Sequence, residues 1–83
     1  MRYRVYDAGE RFFDRYTVFE GLRRKACNVN RRNGREQFLG LDENAIGFSQ
    51  FDECIRGGHL GKIVLFESLP VHVQEHIKAR FEQ

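Results

Sequence analysis

The sequence predicts a small α+β domain, in which an antiparallel sheet of three to five strands has one C-terminal amphipathic helix packed on one face. Short segments rich in β-branched and aromatic residues alternate with turn signals before the last third of the chain. In the last third, apolar residues recur every four positions, at Leu69, Val73, Ile77 and Phe81. A helix laid across a sheet is the simplest two-layer arrangement for such elements.

The first strands are predicted as a hairpin. Residues 2–6 alternate charged and apolar side chains, and the Asp and Gly of residues 7–10 are typical of a turn. Residues 14–20, DRYTVFE, read as the second strand. This strand is expected to be central because large side chains point to both of its faces, Tyr16 and Val18 to one and Thr17 and Phe19 to the other.

The middle of the chain is less regular. Asn33-Gly34 is a strong hairpin signal that would join residues 26–30 to a ribbon over 35–41, with a strand at 36–41. A turn is predicted at residues 42–44. Residues 49–56 suggest a short helix, with Ser49 as its N-cap and Gly57 at its end.

The C-terminal third gives clearer signals. Residues 61–67, GKIVLFE, form an apolar run bounded by glycines and a turn, which predicts a core strand. Pro70 suits the first turn of a helix, which we expect over residues 69–82. Lys78 and Arg80 lie near the end of that helix, where positive charge is favourable.

Length and composition limit the functions that the chain can carry. Its 83 residues make one domain, 1–83, and 41% apolar with 31% charged residues is typical of a globular protein, not of a disordered one. Such a chain buries only about 60–65% of its unfolded surface. Eight Phe and three Tyr are many rings for so thin a core, so we expect some of them in a subunit interface and predict a homodimer.

Charge is unevenly distributed along the chain. The total is +2, but residues 1–35 hold ten basic and four acidic side chains (+6), whereas residues 36–83 hold four and eight (−4). Residues 21–35 contain no acid and no aromatic residue. This segment predicts either a nucleic-acid or other polyanion site, or a basic loop that pairs with acidic residues of the same protein or of a neighbouring subunit. The site residues of the first alternative are Arg23, Arg24, Lys25, Arg31, Arg32 and Arg35.

Three motif matches fail on their context. Residues 72–76 fit the H-x-x-E-H pattern of inverted zinc metallopeptidases, but only seven residues follow His76, too few for the later helix that supplies a third ligand. Residues 57–62, GGHLGK, lack the spacing and the hydroxyl residue of a phosphate-binding loop and lead into a strand. Cys27 and Cys54 are expected as free thiols, and no spacing brings either to His59. We therefore predict no metal, no cofactor and no catalytic residue.

Four motifs occur in a familiar order: DRYTV (14–18), GF-x-Q (47–50), HLGK (59–62) and LP-x-x-V-Q-x-x-I (69–77). The chain resembles a group of small bacterial and phage-type hypothetical proteins and is similar to gene-cassette (integron cassette) proteins of mobile elements. The resemblance covers most of the chain except residues 21–35. It implies no activity, and it suggests that Asp14, Arg15 and His59 line a shared surface.

The sequence favours a non-catalytic binding or accessory protein that acts through a protein–protein surface. Binding of nucleic acid or another polyanion through residues 21–35 is the alternative, and a small enzyme with a site around His59, Asp14 and Arg15 is the third hypothesis. Neither a membrane span of about 20 apolar residues nor the apolar run of a signal peptide is evident, so we expect no membrane partner and a cytoplasmic location.

Overall fold

The computed structural model describes residues 2–12, 14–25, 34–42 and 49–82. Within them lie five strands, one α-helix and two short 3₁₀ turns. The strands are β1 (Tyr3–Asp7), β2 (Tyr16–Glu20), β3 (Glu36–Leu41), β4 (Ser49–Cys54) and β5 (Lys62–Val64); the 3₁₀ turns are Gly58–Leu60 and Phe66–Ser68, and the helix is α1 (Val71–Phe81). The α+β class with a single C-terminal helix is confirmed.

The strands form one antiparallel sheet in the order β4-β3-β2-β1-β5. The hairpin of β1 and β2 is confirmed, with Val5 opposite Val18. β2 is the middle strand, as its two apolar faces predict. β5 pairs with the other edge of β1, where Val64 also lies opposite Val5.

The main core lies between α1 and one face of the sheet, which we call the helix face. Val73 and Ile77 of the helix are fully buried against Val5, Val18 and Leu39. Leu69 is also buried, so three members of the four-residue stripe are confirmed as core. The fourth, Phe81, is half-buried and packs with its ring centroid 5.2 Å from that of Tyr3 and 5.3 Å from that of Phe51.

The opposite side of the sheet, the far face, also carries buried rings. Because side chains alternate along a strand, Tyr6, Phe19 and Phe38 point away from α1. The ring of Phe19 lies 5.9 Å from that of Tyr6 and 6.0 Å from that of Phe38. Tyr6 and Phe19 are almost fully buried, so a second, smaller core forms without a second helix.

Arg56 covers this aromatic layer. Its guanidinium lies 4.7 Å from the centroid of the Phe19 ring, and its Nε is 2.9 Å from Oε2 of Glu36. The other guanidinium nitrogens donate to carbonyls at the end of β2 and just after it: Glu20 (2.7 Å), Gly21 (3.0 Å) and Arg23 (2.6 Å). One arginine therefore ties the end of β2 to β3 and to the segment that follows β4.

The predicted helix over residues 49–56 is wrong, because Ser49–Cys54 forms strand β4. Phe51 packs against the core on the helix face, and every residue of β4 lies opposite a residue of β3. Pairing with β3 along all six residues provides backbone hydrogen bonds on one edge of the segment, whereas the local helix signal offered one N-cap. Tertiary pairing overrides that weak local preference.

The boundaries of the C-terminal elements also differ from expectation. The predicted strand over 61–67 contains only three strand residues, Lys62–Val64, at the edge of the sheet, and Phe66–Ser68 turns as a 3₁₀ helix. The α-helix begins after Pro70, not at Leu69. The predicted ribbon at 26–30, the Asn33 side of its turn and most of the turn at 42–44 lie outside the described residues.

Candidate functional site

A cavity of about 340 Å³ opens on the far face, between two connections of the chain. Its walls come from the β1–β2 connection, from the far-face side chains of three strands and from the 3₁₀ turn before β5. The lining is mostly apolar, with a carboxyl, a hydroxyl, a thiol and an imidazole among it. The lining residues are Ala8, Phe12, Asp14, Thr17, Phe38, Cys54, Gly58, His59, Leu60 and Gly61.

The β1–β2 connection places Phe12 and Asp14 at the cavity. The Asp7 carboxylate accepts hydrogen bonds from the Gly9 amide (2.9 Å) and from the Arg15 guanidinium (3.0 and 3.2 Å). Gly9 has φ +100°, and its carbonyl accepts a bond from the Phe12 amide at 3.2 Å. These hydrogen bonds define a turn over residues 7–12, and Phe12 is 61% exposed at the cavity's rim.

The second connection reaches the cavity because Gly61 lacks a side chain. A Cβ on Gly61 would lie 2.3 Å from the carbonyl oxygen of Asp7, and its φ of +111° also favours glycine. This close approach holds the 3₁₀ turn Gly58–Leu60 against the end of β1. His59 and Leu60 thereby line the same cavity as Asp14, which is distant in sequence.

Asp14 places an acidic side chain in the cavity wall. Its Oδ1 is shielded from solvent and accepts no hydrogen bond from any described residue, and its carboxyl group packs over Gly40. Burial raises the pKa of Asp14, and the negative charge of Asp52 on β4 raises it further. Hence the carboxyl lacks a compensating positive charge within the described part of the chain.

The nucleophile-bearing residue of the cavity is not activated. Cys54 is a free, half-buried cysteine, and burial raises the pKa of its thiol. A thiol is reactive as the thiolate, so this environment disfavours nucleophilic catalysis. Thr17 is buried, and His59 is exposed at the surface end of the cavity. Binding of a ligand by shape and hydrogen bonding is the chemistry that such a lining supports.

Only two of the three residues predicted to share a surface line the cavity. Asp14 and His59 line the same cavity. Arg15 does not line it; its guanidinium instead pairs with Asp7 and stacks 5.1 Å from the ring centroid of Tyr16. Cys54 and His59, which no sequence spacing connected, also line this cavity.

Part of the basic segment is used inside the fold. Arg23 donates to Glu36 at 2.6 Å, and Arg35 donates to the carbonyl of Glu53 at 2.7 Å. Arg24 and Lys25 are exposed, while Arg31 and Arg32 lie outside the described residues. Both observed contacts join the basic part of the sequence to the acidic part. Nucleic-acid or polyanion binding stays a prediction.

The histidines of the H-x-x-E-H match lie on α1, away from the cavity. His72 is exposed, and Nε2 of His76 lies 3.0 Å from the Ser49 hydroxyl. Residues 2–12, 14–25, 34–42 and 49–82 contain no group of three or more side chains arranged to hold a metal ion. No helix among them is long and apolar enough to cross a membrane.

Sequence reasoning missed most of the cavity lining. Phe12, Phe38 and Leu60 were not singled out, because an apolar wall has no motif. One signal was available, because the alternation of β2 points Thr17 away from the main core. The strand register then predicts that Phe38 and Cys54 lie near Thr17 on the far face. That register depends on the β3–β4 pairing, and residues 49–56 were interpreted as helix.

Comparisons of the chain with protein-family models, with curated proteins and with solved structures found no match. The site therefore rests on its own geometry.

Proposed function

We propose that the protein is a small non-catalytic binding protein that acts through a protein–protein surface, and that this surface is the far face of the sheet. The far-face cavity supports the proposal. It is an open, mostly apolar depression with a few converging polar groups, which is the usual form of a binding site. In a protein interface, such a depression receives one anchoring side chain of the partner.

The exposed rim supports a protein partner. Phe12 is a large aromatic side chain that remains mostly exposed beside the cavity, although burial of its ring would be favourable. Aromatic residues next to a pocket are typical of the centre of a protein interface. The raised pKa of the Cys54 thiol supports binding without a nucleophilic step.

A paired substitution tests the proposal. Phe12→Ser removes the exposed ring at the cavity, and Leu65→Ser removes an equally apolar and 70% exposed side chain from a different groove. Partners retained by the wild-type protein from a lysate of its own cells are quantified on both variants. We expect Phe12→Ser to weaken retention about tenfold and Leu65→Ser to leave it unchanged. Equal retention by the two variants would contradict the assignment of the far face.

The homodimer is part of the same proposal. The outer edge of β4 pairs with no other strand among the described residues, and a second copy is one candidate to cover it. Sedimentation velocity at tens of micromolar measures this directly. A dimer that persists on dilution is expected, and a monomer across the concentration series removes the homodimer while leaving the cavity proposal intact.

A further inference from the structure

We propose that the group entering the far-face cavity is a basic side chain, lysine or arginine, of a partner protein. This inference rests on the proposed function, because it names the chemistry of the side chain that the cavity receives. It depends on three properties of the site: an uncompensated carboxyl, apolar walls with aromatic rings, and further negative charge outside the cavity.

The uncompensated carboxyl belongs to Asp14. Neither a hydrogen bond to Oδ1 nor a positive charge on the described residues balances it, and the neighbouring Asp52 adds repulsion. Elsewhere in this protein, buried or half-buried acids have an arginine partner, as Asp7 has Arg15 and Glu36 has Arg56. Asp14 has no such pair among the described residues, and a cation brought by a partner would supply it.

The walls suit a long side chain with a charged end. Ala8, Phe38 and Leu60 provide apolar contact for methylene groups, and the faces of Phe12 and Phe38 attract cations. The Thr17 hydroxyl and the His59 imidazole supply hydrogen-bond acceptors. An anionic group next to Asp14 would meet a like charge, so that part of the cavity disfavours acids; the positive charge of Arg35 acts on the Cys54 thiol and is not among the influences on Asp14.

The surface beside the cavity favours a protein over a free amine. Asp52 on β4 is exposed, and the alternation of that strand points it to the far face next to Gln50. The negative charge thus extends along the sheet beyond the volume that one small amine fills. Charge complementarity over such a surface steers a basic partner segment and orients it.

Capped single residues test the inference on the intact chain. The probes are N-acetyl-lysine N-methylamide, its arginine counterpart and the neutral norleucine counterpart, titrated separately at neutral pH while amide chemical shifts of Thr17, Cys54 and Leu60 are followed. We expect both basic probes to saturate these shifts about tenfold more tightly than norleucine. Asp14→Asn should remove that preference while norleucine binding is unchanged. Glu75→Gln, on the exposed side of α1, is the matched control and should keep it.

The outcomes separate the two proposals. If norleucine binds as tightly as lysine, or if Asp14→Asn keeps the preference for basic probes, the assignment of a basic side chain is wrong. The cavity then remains a binding site. Absence of cavity shifts with every probe contradicts the proposed function as well. Unchanged norleucine binding in Asp14→Asn also shows that the variant is folded. n-Butylammonium has the methylenes and the charge of a lysine side chain and should shift the same amides. A capped peptide of two adjacent lysines can also reach Asp52, so we expect it to bind more tightly than n-butylammonium, and equal affinity would assign the cavity to free amines and overturn the protein partner.

Discussion

Arg56 and Glu36 form an ion pair that is closed to solvent, with side chains 0% and 4% exposed. Their nearest atoms, Nε and Oε2, are 2.9 Å apart but are not aligned as a hydrogen bond. Burial lowers the pKa of the Arg56 guanidinium, and the charge of Glu36 opposes that effect. Arg23 adds a second cation to the same carboxylate.

Removing one member of this pair should destabilise the protein strongly. Arg56→Met leaves three backbone carbonyls without their donor and the buried Glu36 carboxylate with Arg23 as its remaining partner among the described residues, so we expect a loss of about 3–5 kcal/mol in the free energy of unfolding. Urea denaturation measures it. The double variant Arg56→Met/Glu36→Gln should lose less than the sum of the two single losses, and strictly additive losses would show that the two side chains are not coupled.

Gly61 should tolerate no side chain. Gly61→Ala introduces both a positive-φ strain of about 1–3 kcal/mol and a clash with the Asp7 backbone, which is not free to move. Gly9→Ala shares the positive φ but meets nothing within 4 Å, and Gly58→Ala meets neither penalty. The predicted order of thermal stability is Gly58→Ala above Gly9→Ala above Gly61→Ala. A stable Gly61→Ala protein would disprove the close approach of the two connections.

The Asp7 carboxylate should stabilise the fold at neutral pH and lose this contribution in acid. The hydrogen bond from Arg15 lowers the pKa of Asp7 most, burial opposes the change, and the Gly9 amide lowers it again. A carboxyl whose pKa falls on folding stabilises the fold above the unfolded pKa of about 3.9, and that contribution is lost as the pH falls through the folded value. Asp7→Asn should therefore be less stable than the wild type at neutral pH, with the difference in melting temperature vanishing in acid.

The Asp14 carboxyl should have the opposite effect on stability as the pH changes. Burial raises its pKa, so folding favours the protonated carboxyl, and the ionised form that dominates at higher pH weakens the fold. Asp14→Asn removes that charge at nearly constant shape. We expect its melting temperature to exceed that of the wild type at neutral pH and the gain to shrink on acidification. An unchanged or growing gain in acid would contradict an uncompensated carboxyl.

Ionisation of the Tyr3 hydroxyl at alkaline pH should destabilise the fold. It donates a hydrogen bond to Glu82, and burial together with that bond raises the pKa of Tyr3 above its usual range. Burial also raises the pKa of Tyr6. A tyrosine whose pKa rises on folding stabilises the fold fully below the unfolded value of about 10, and loses this contribution as the pH climbs through the folded value. Melting temperatures measured from about pH 8 upwards should fall above pH ~10, less steeply in Tyr3→Phe.

Periodic patterns made most of the fold predictable. Val73 and Ile77 specify the buried face of the helix, and DRYTVFE specifies a strand with two apolar faces, because both patterns are local. Residues 49–54 carry no such pattern: only Phe51 is an apolar anchor, and the strand exists because β3 lies beside it. An edge strand that takes its conformation from its neighbour cannot be read from its own residues.

The candidate site was predictable only in part. Asp14 and His59 were named together through a motif resemblance, whereas their meeting depends on the Gly61 approach to Asp7, which joins residues 54 positions apart. The ion pair of Arg56 with Glu36 escaped notice for a similar reason, since each residue looks like an ordinary surface charge in sequence. Arg15 was named with them through the same motif, but its guanidinium pairs with Asp7.

The position of β1 between β2 and β5 has a consequence for synthesis on the ribosome. β1 and β2 leave the exit tunnel almost together, but the other neighbour of β1 follows only after β3 and β4 have been made. Until then, one side of β1 presents unpaired backbone groups, and the helix face lacks its cover. The nascent chain thus carries an open edge until residues 62–64 have been made, and residues 62–81 close both the sheet and the core.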